Sequence, residues 1–245
     1  MSIRQGSASQ VGAAFNEAAA DLGRLLQLVH APVGVAFLGQ PPAGVPVRTT
    51  VAPSACTLWR DGERETFYVT DAGHLGCAVG AVVLGMPLDD DARQRLGQTV
   101  AQMAGSGYLD ADEPAHLPTR TGGEGGVLYG PLATLPVAPD LVLTWLTPRG
   151  AMLLAEAAEA VRWTGRAGLT LTGRPACAAL PLAESSGSVA ASLGCTGMRH
   201  FTGITDDLLL AVLPGPQLGA CVAALSATAE SNEQMAAFYA GELDR

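Results

Sequence analysis

Charge is scarce in this chain. Asp, Glu, Lys and Arg together make up 15% of its residues, and 14 basic against 23 acidic groups leave a formal charge of −9 with no concentrated basic run. Neutralising a phosphate backbone takes clustered Lys and Arg, so nucleic-acid binding is excluded as an expectation. Long apolar runs are missing too. The longest nearly uncharged one, Ala78 to Leu88, is far short of the roughly 20 residues that cross a bilayer, so no membrane partner is expected. The opening "MSIRQGSASQ" has no basic segment followed by an apolar run, and the expected location is the cytoplasm. No C-x-x-C knuckle occurs, which removes the zinc-ribbon signature, and an odd count of five cysteines without a leader argues for thiols or metal ligands over a disulfide framework. The Gly-rich "TGGEGG" at Thr121–Gly126 is not followed by Lys-Ser/Thr, so it is not a phosphate-binding loop.

What is present is a core-forming chain: 48% of the 245 residues are apolar. "VGAAFNEAAADLGRLLQLV" places Phe15, Ala18, Leu22, Leu25, Leu26 and Val29 at helical spacing and predicts a helix over 11–29. Short runs rich in β formers predict strands at Pro32–Leu38, Arg48–Ala52 and Thr66–Thr70. Helices are predicted over Gly76–Gly85 and from Asp89–Asp91 to Met103. In the second half the pattern predicts a strand at Leu141–Leu146, a helix over Arg149–Trp163 and a strand at Gly168–Thr172. A turn at Asp206-Asp207, the apolar "LLLAVLP" and a helix over Gln217–Ala229 follow. The expected class is α/β or mixed α+β, as two related strand–helix halves packed about a pseudo-two-fold. The expected divisions are an N-terminal helix (1–30), a first half (31–104), a Gly-rich mobile loop (105–130) and a second half (131–245).

The expectation of two halves rests on cysteines. Ala55-Cys56 and Ala176-Cys177 each follow a strand-like segment, and Leu75-Gly76-Cys77 and Leu193-Gly194-Cys195 each follow a spacer of similar length, 20 residues in one case and 17 in the other. Gly80 and Gly197 come shortly after the second cysteine of each pair, a place for backbone to turn close to something bound. If the halves fold alike, Cys56, Cys77, Cys177 and Cys195 could converge as four soft ligands, which select an iron–sulfur cluster of the cubane (4Fe-4S) kind or zinc. Cys221 has no counterpart and is read as core.

Two other readings stay open. One is thiol chemistry at Cys77, with His74 three residues earlier, or at Cys195, with Arg199 and His200 just beyond. The other is a metal-free module that binds a small molecule near Arg199, Asp206 and Asp207, with His74 as a further ligand-binding candidate. No catalytic residue is assigned, and a small molecule or a redox protein is the expected partner.

The segments "LQLVHAPVGVAFL", "CTLW…FYVTDAGHLGCAVGAVVLGMP", "PDLVLTWLTPRGAMLLAEAA", "TGRPACAALPL" and "SLGCTGMRHFTGITDDLLLAVLP" together resemble the bacterial and archaeal family called domain of unknown function 169, over about Leu26 to Leu225. The resemblance implies that the four paired cysteines and the Gly197, Arg199, Asp206, Asp207 stretch belong to the family pattern. It implies no activity. The Gly-rich segment at 105–130 and the apolar "TLW" after Cys56 depart from that pattern. The leading expectation is a cysteine-ligated metal protein, an iron–sulfur cluster ahead of zinc, with a redox or small-molecule role.

Overall fold

A computed structural model describes residues 8–110, 112–122, 125–158 and 169–243. The chain begins with α1 (Ala8–Leu26), whose Phe15, Ala18, Leu22, Leu25 and Leu26 are buried as their spacing predicts. It stops three residues earlier than the pattern suggested, where Gln27 takes a left-handed φ of 53°. β1 (Val33–Phe37) follows, buried along its whole length, and then β2, which shrinks to Val47–Arg48 instead of reaching Ala52. After β2 come α2 (Ala55–Gly62), β3 (Phe67–Thr70), α3 (Asp71–His74), α4 (Ala78–Val83) and α5 (Asp90–Gly105). Asp89 caps α5 by accepting from the Ala92 N–H at 2.7 Å.

The segment expected to be a mobile loop is partly structured. It holds a 3-10 turn at Glu113–His116 and then β4 (Gly126–Pro131), an inner strand. Its "GVLYGP" holds a short apolar run, Val127 to Tyr129, a signal masked by the surrounding glycines. The second half supplies β5 (Leu141–Leu146), α6 (Pro148–Ala157), β6 (Thr170–Thr172), a 3-10 turn at Ala176–Ala178, α7 (Ala179–Ser186), β7 (Ala190–Ser192), α8 (Thr196–Thr202), β8 (Leu209–Pro214) and α9 (Leu218–Leu243). The expected continuation of α6 to Trp163 and the start of the β6 segment at Gly168 lie outside the described residues.

The fold is mixed α+β. One eight-stranded sheet runs in the order β2-β3-β4-β1-β5-β8-β7-β6. β2 lies parallel to β3 and β6 parallel to β7, while the remaining neighbours are antiparallel. The central seam pairs Val33 with Leu143 and Val35 with Leu141.

Strand alternation then sorts the helices. Val33, Val35 and Phe37 of β1, Tyr129 of β4, and Leu141, Leu143 and Trp145 of β5 share a core with Cys56, Leu58 and Trp59 of α2, Ala81 and Val83 of α4, Leu180 of α7 and Met198 of α8. Val142 and Leu146 of β5 and Ala211 and Leu213 of β8 face the other way, against α1, α6 and α9. Cys56, Cys177 and Cys195 therefore belong to one face of the sheet, where Cys77 caps α4, and Cys221 belongs to the other, on α9. Among the described residues no helix is long and apolar enough to cross a membrane.

Candidate functional site

Each of the four paired cysteines sits at the start of a helical segment. Cys56 is the second residue of α2, whose N-cap Ser54 accepts from the Cys56 N–H at 3.4 Å. Cys177 lies in the 3-10 turn that leads into α7. Cys77 and Cys195 are themselves N-caps: Cys77 Sγ accepts from the Gly80 N–H of α4 at 3.4 Å, and Cys195 Sγ accepts from the Met198 N–H of α8 at 3.3 Å. Such a position turns sulfur against backbone donors and the positive end of a short helix.

Burial divides the set. Cys56 and Cys177 are buried, whereas Cys77 and Cys195 are partly exposed. Burial pushes the Cys56 thiol up to about 12, with the nearby Cys195 and Cys77 adding to the rise and the Ser54 hydrogen bond opposing it. Burial likewise drives Cys177 well above the ordinary thiol value, with Cys56, Cys77 and Cys195 contributing in turn. Cys56 and Cys177 thus each lie within electrostatic reach of the other three sulfurs. Packing agrees, since α2 contacts α8 and α4 contacts the Ala176–Ala178 turn.

Electrostatic reach is longer than a metal–sulfur bond of about 2.3 Å. Among the described residues no group of three or more His, Cys, Asp or Glu side chains is placed to hold a metal ion. The expected cubane iron–sulfur cluster and the expected zinc are therefore both corrected. The reason is local: Cys77 and Cys195 turn their sulfurs back onto their own helices, and Cys56 and Cys177 stand packed among apolar side chains of the core. Metal ligation needs thiolates aimed at one point.

The glycines of the two Leu-Gly-Cys triplets serve packing. A Cβ on Gly76 would lie 2.1 Å from the Ala52 carbonyl oxygen, and Gly194 takes a φ of +94° beside Met198 and Arg199. Gly80 lies against Ala55 and the Cys77 sulfur, while Gly197 has open space.

One of the sequence candidates, His74, is paired with a residue the sequence pattern did not single out, Tyr129. His74 is fully buried, with Nδ1 2.9 Å from the Thr70 carbonyl and Nε2 3.0 Å from the Tyr129 hydroxyl. A carbonyl only accepts, so Nδ1 carries the proton, Nε2 accepts, and Tyr129 donates. Burial lowers His74 to about 4, which keeps the imidazole neutral. Burial raises Tyr129, and Cys56 and Cys177 raise it further. The missed signal was the short apolar run of β4, Val127 to Tyr129.

The expected ligand-binding set is divided. His74 belongs to the buried pair just described. Arg199 donates to the carbonyls of Thr205 at 2.6 Å, Leu193 at 2.8 Å and Leu208 at 3.1 Å, and pairs with Asp206 at 3.2 Å. Asp206 and Asp207 are exposed, and a hydrogen bond from Thr205 lowers the Asp207 carboxyl. Arg199 thus ties down the turn on either side of Cys195 and α8. His200 is exposed, with its ring 5.0 Å from that of Phe201.

No curated protein and no solved structure matches the chain. Residues 21–224 match the family domain of unknown function 169, described as uncharacterised ArCR. With its four cysteines, Arg199 and the whole eight-stranded sheet inside that match, the chain belongs to this family.

Proposed function

We propose that the chain is a metal-free, thiol-dependent protein in which Cys77 and Cys195 act as nucleophiles on a small electrophilic substrate. One observation carries this reading: each of these sulfurs is partly exposed and accepts a hydrogen bond from the third residue of the helix it caps, at 3.4 and 3.3 Å. Backbone donors so placed stabilise the charge a sulfur bears when it attacks. Arg199 is a positioning residue, holding the loop that presents Cys195.

Two related halves are part of the same reading. The strand order β2-β3-β4-β1 is followed by its reverse, β5-β8-β7-β6, with a parallel pair at each outer edge, and this supports an internal duplication about the β1–β5 seam. Cys56 then corresponds to Cys177 and Cys77 to Cys195, so each half contributes one buried and one partly exposed thiol.

The test is timed alkylation by iodoacetamide at pH 6, with each cysteine followed by peptide mass mapping. Cys77 or Cys195 should react about tenfold or more faster than glutathione, and Cys56 and Cys177 only after unfolding. Four uniformly sluggish cysteines would assign the sulfurs to structure alone.

A further inference from the structure

Nucleophilic attack on most electrophiles needs a single sulfur, yet this chain carries two buried thiols in addition to the two partly exposed ones. Helix α2, with Cys56 in its first turn, packs on α8, whose N-cap is Cys195. Helix α4, whose N-cap is Cys77, packs on the 3-10 turn that carries Cys177. Both contacts join the front of the chain to its back. Cys56 and Cys177 belong to one continuous apolar cluster, and Cys195 packs against it. A second thiol beside the first changes the chemistry only when the first ends in a bond that another sulfur can break, and a mixed disulfide is such a bond.

Resting on the thiol reading above, we infer that the substrate is a disulfide, reduced by two cross-chain pairs, Cys195 with Cys56 and Cys77 with Cys177, in which the exposed member attacks and the buried member resolves. In the first step Cys195 or Cys77 sulfur bonds to one substrate sulfur, the substrate S–S bond breaks, and the departing thiolate takes the attacking thiol's proton. In the second step Cys56 or Cys177 sulfur bonds to the cysteine sulfur of the mixed disulfide, the mixed bond breaks, and the buried thiol's proton passes to the second departing thiolate. Each pair thereby converts one disulfide into two thiols and becomes an intrachain disulfide; the substrate is reduced and the protein oxidised. The buried position suits the resolving thiol, because only a sulfur already delivered to Cys195 or Cys77 comes within its reach.

The experiment uses the full chain with Cys221→Ala, since Cys221 lies on the opposite face of the sheet. The probe is 2,2′-dithiodipyridine, read by thiopyridone release and by peptide mapping without reductant. The expected result is about two thiopyridones per pair, with Cys56 linked to Cys195 and Cys77 to Cys177. Cys56→Ala should then trap a lasting thiopyridyl adduct on Cys195, and Cys177→Ala one on Cys77, each with loss of the second release. Lasting adducts on Cys77 and Cys195 of the Cys221→Ala chain, without intrachain linkage, would overturn the pairing while leaving the nucleophile assignment standing. Links between Cys56 and Cys177, or between Cys77 and Cys195, would also overturn it. The absence of both an adduct and an intrachain link at Cys77 and Cys195 would remove both readings. Because the linkage map is read without touching a buried cysteine, the inference stands or falls even if the alanine variants fold poorly.

Discussion

His74 is held neutral by its surroundings and fixed in one tautomer by its two partners, the Thr70 carbonyl and the Tyr129 hydroxyl. Its folded value near 4 lies below the ordinary 6.5, so the unfolded chain binds the proton more readily between those limits. This group's contribution is therefore full above about pH 6.5 and declines as pH falls towards 4, by roughly 3 kcal/mol in all. Urea unfolding at a series of pH values should show that decline, and His74→Gln should remove its share of the slope. An unchanged slope in the variant would show that the imidazole is not the group titrating. At this scale the sequence was informative about the cysteines and silent about Tyr129, because the importance of Tyr129 comes from partners on α3 and α2 that only the folded chain brings near.

At the scale of elements, the same residue type does two jobs. Cys77 and Cys195 cap α4 and α8, whereas Cys56 and Cys177 lie inside the apolar cluster beneath them. Serine is among the best N-cap residues, so Cys77→Ser and Cys195→Ser should leave stability within about 0.5 kcal/mol of the original. Cys56→Ser and Cys177→Ser place a hydroxyl in the core and should cost about 1–3 kcal/mol. Chemical denaturation of the four variants reads this contrast directly; equal costs for all four would contradict it. The Leu-Gly-Cys repetition was legible in the sequence, but its cause was not. Gly76 is required by the approach of the Ala52 carbonyl and Gly194 by its own positive φ, two different needs behind one pattern.

Across the whole molecule, β1 and β5 join the strands into one sheet, and a single apolar cluster reaches from Phe67 of β3 to Leu210 of β8. The sheet and the helices on this cluster should therefore unfold as one unit. Loss of far-ultraviolet circular dichroism and exposure of the Cys56 and Cys177 thiols should follow one denaturant curve, and Leu143→Ala, fully within that cluster, should shift both by about 2–5 kcal/mol. Separate midpoints for the two signals would divide the molecule into independent units.

Composition and periodicity by themselves determined the apolar core, helix α1, strands β1, β3 and β5, and the paired occurrence of the cysteines, because these depend on neighbours along the chain. Three matters were decided only by the tertiary structure. β4 is a strand because β1 and β3 flank it and satisfy its backbone, despite its glycine-rich approach. The His74–Tyr129 pair exists because α3 and β4 meet. The cysteines share a face of the sheet without forming a ligand set, since the direction of a sulfur is fixed by the cap or core it occupies, and spacing along a chain carries no record of that direction.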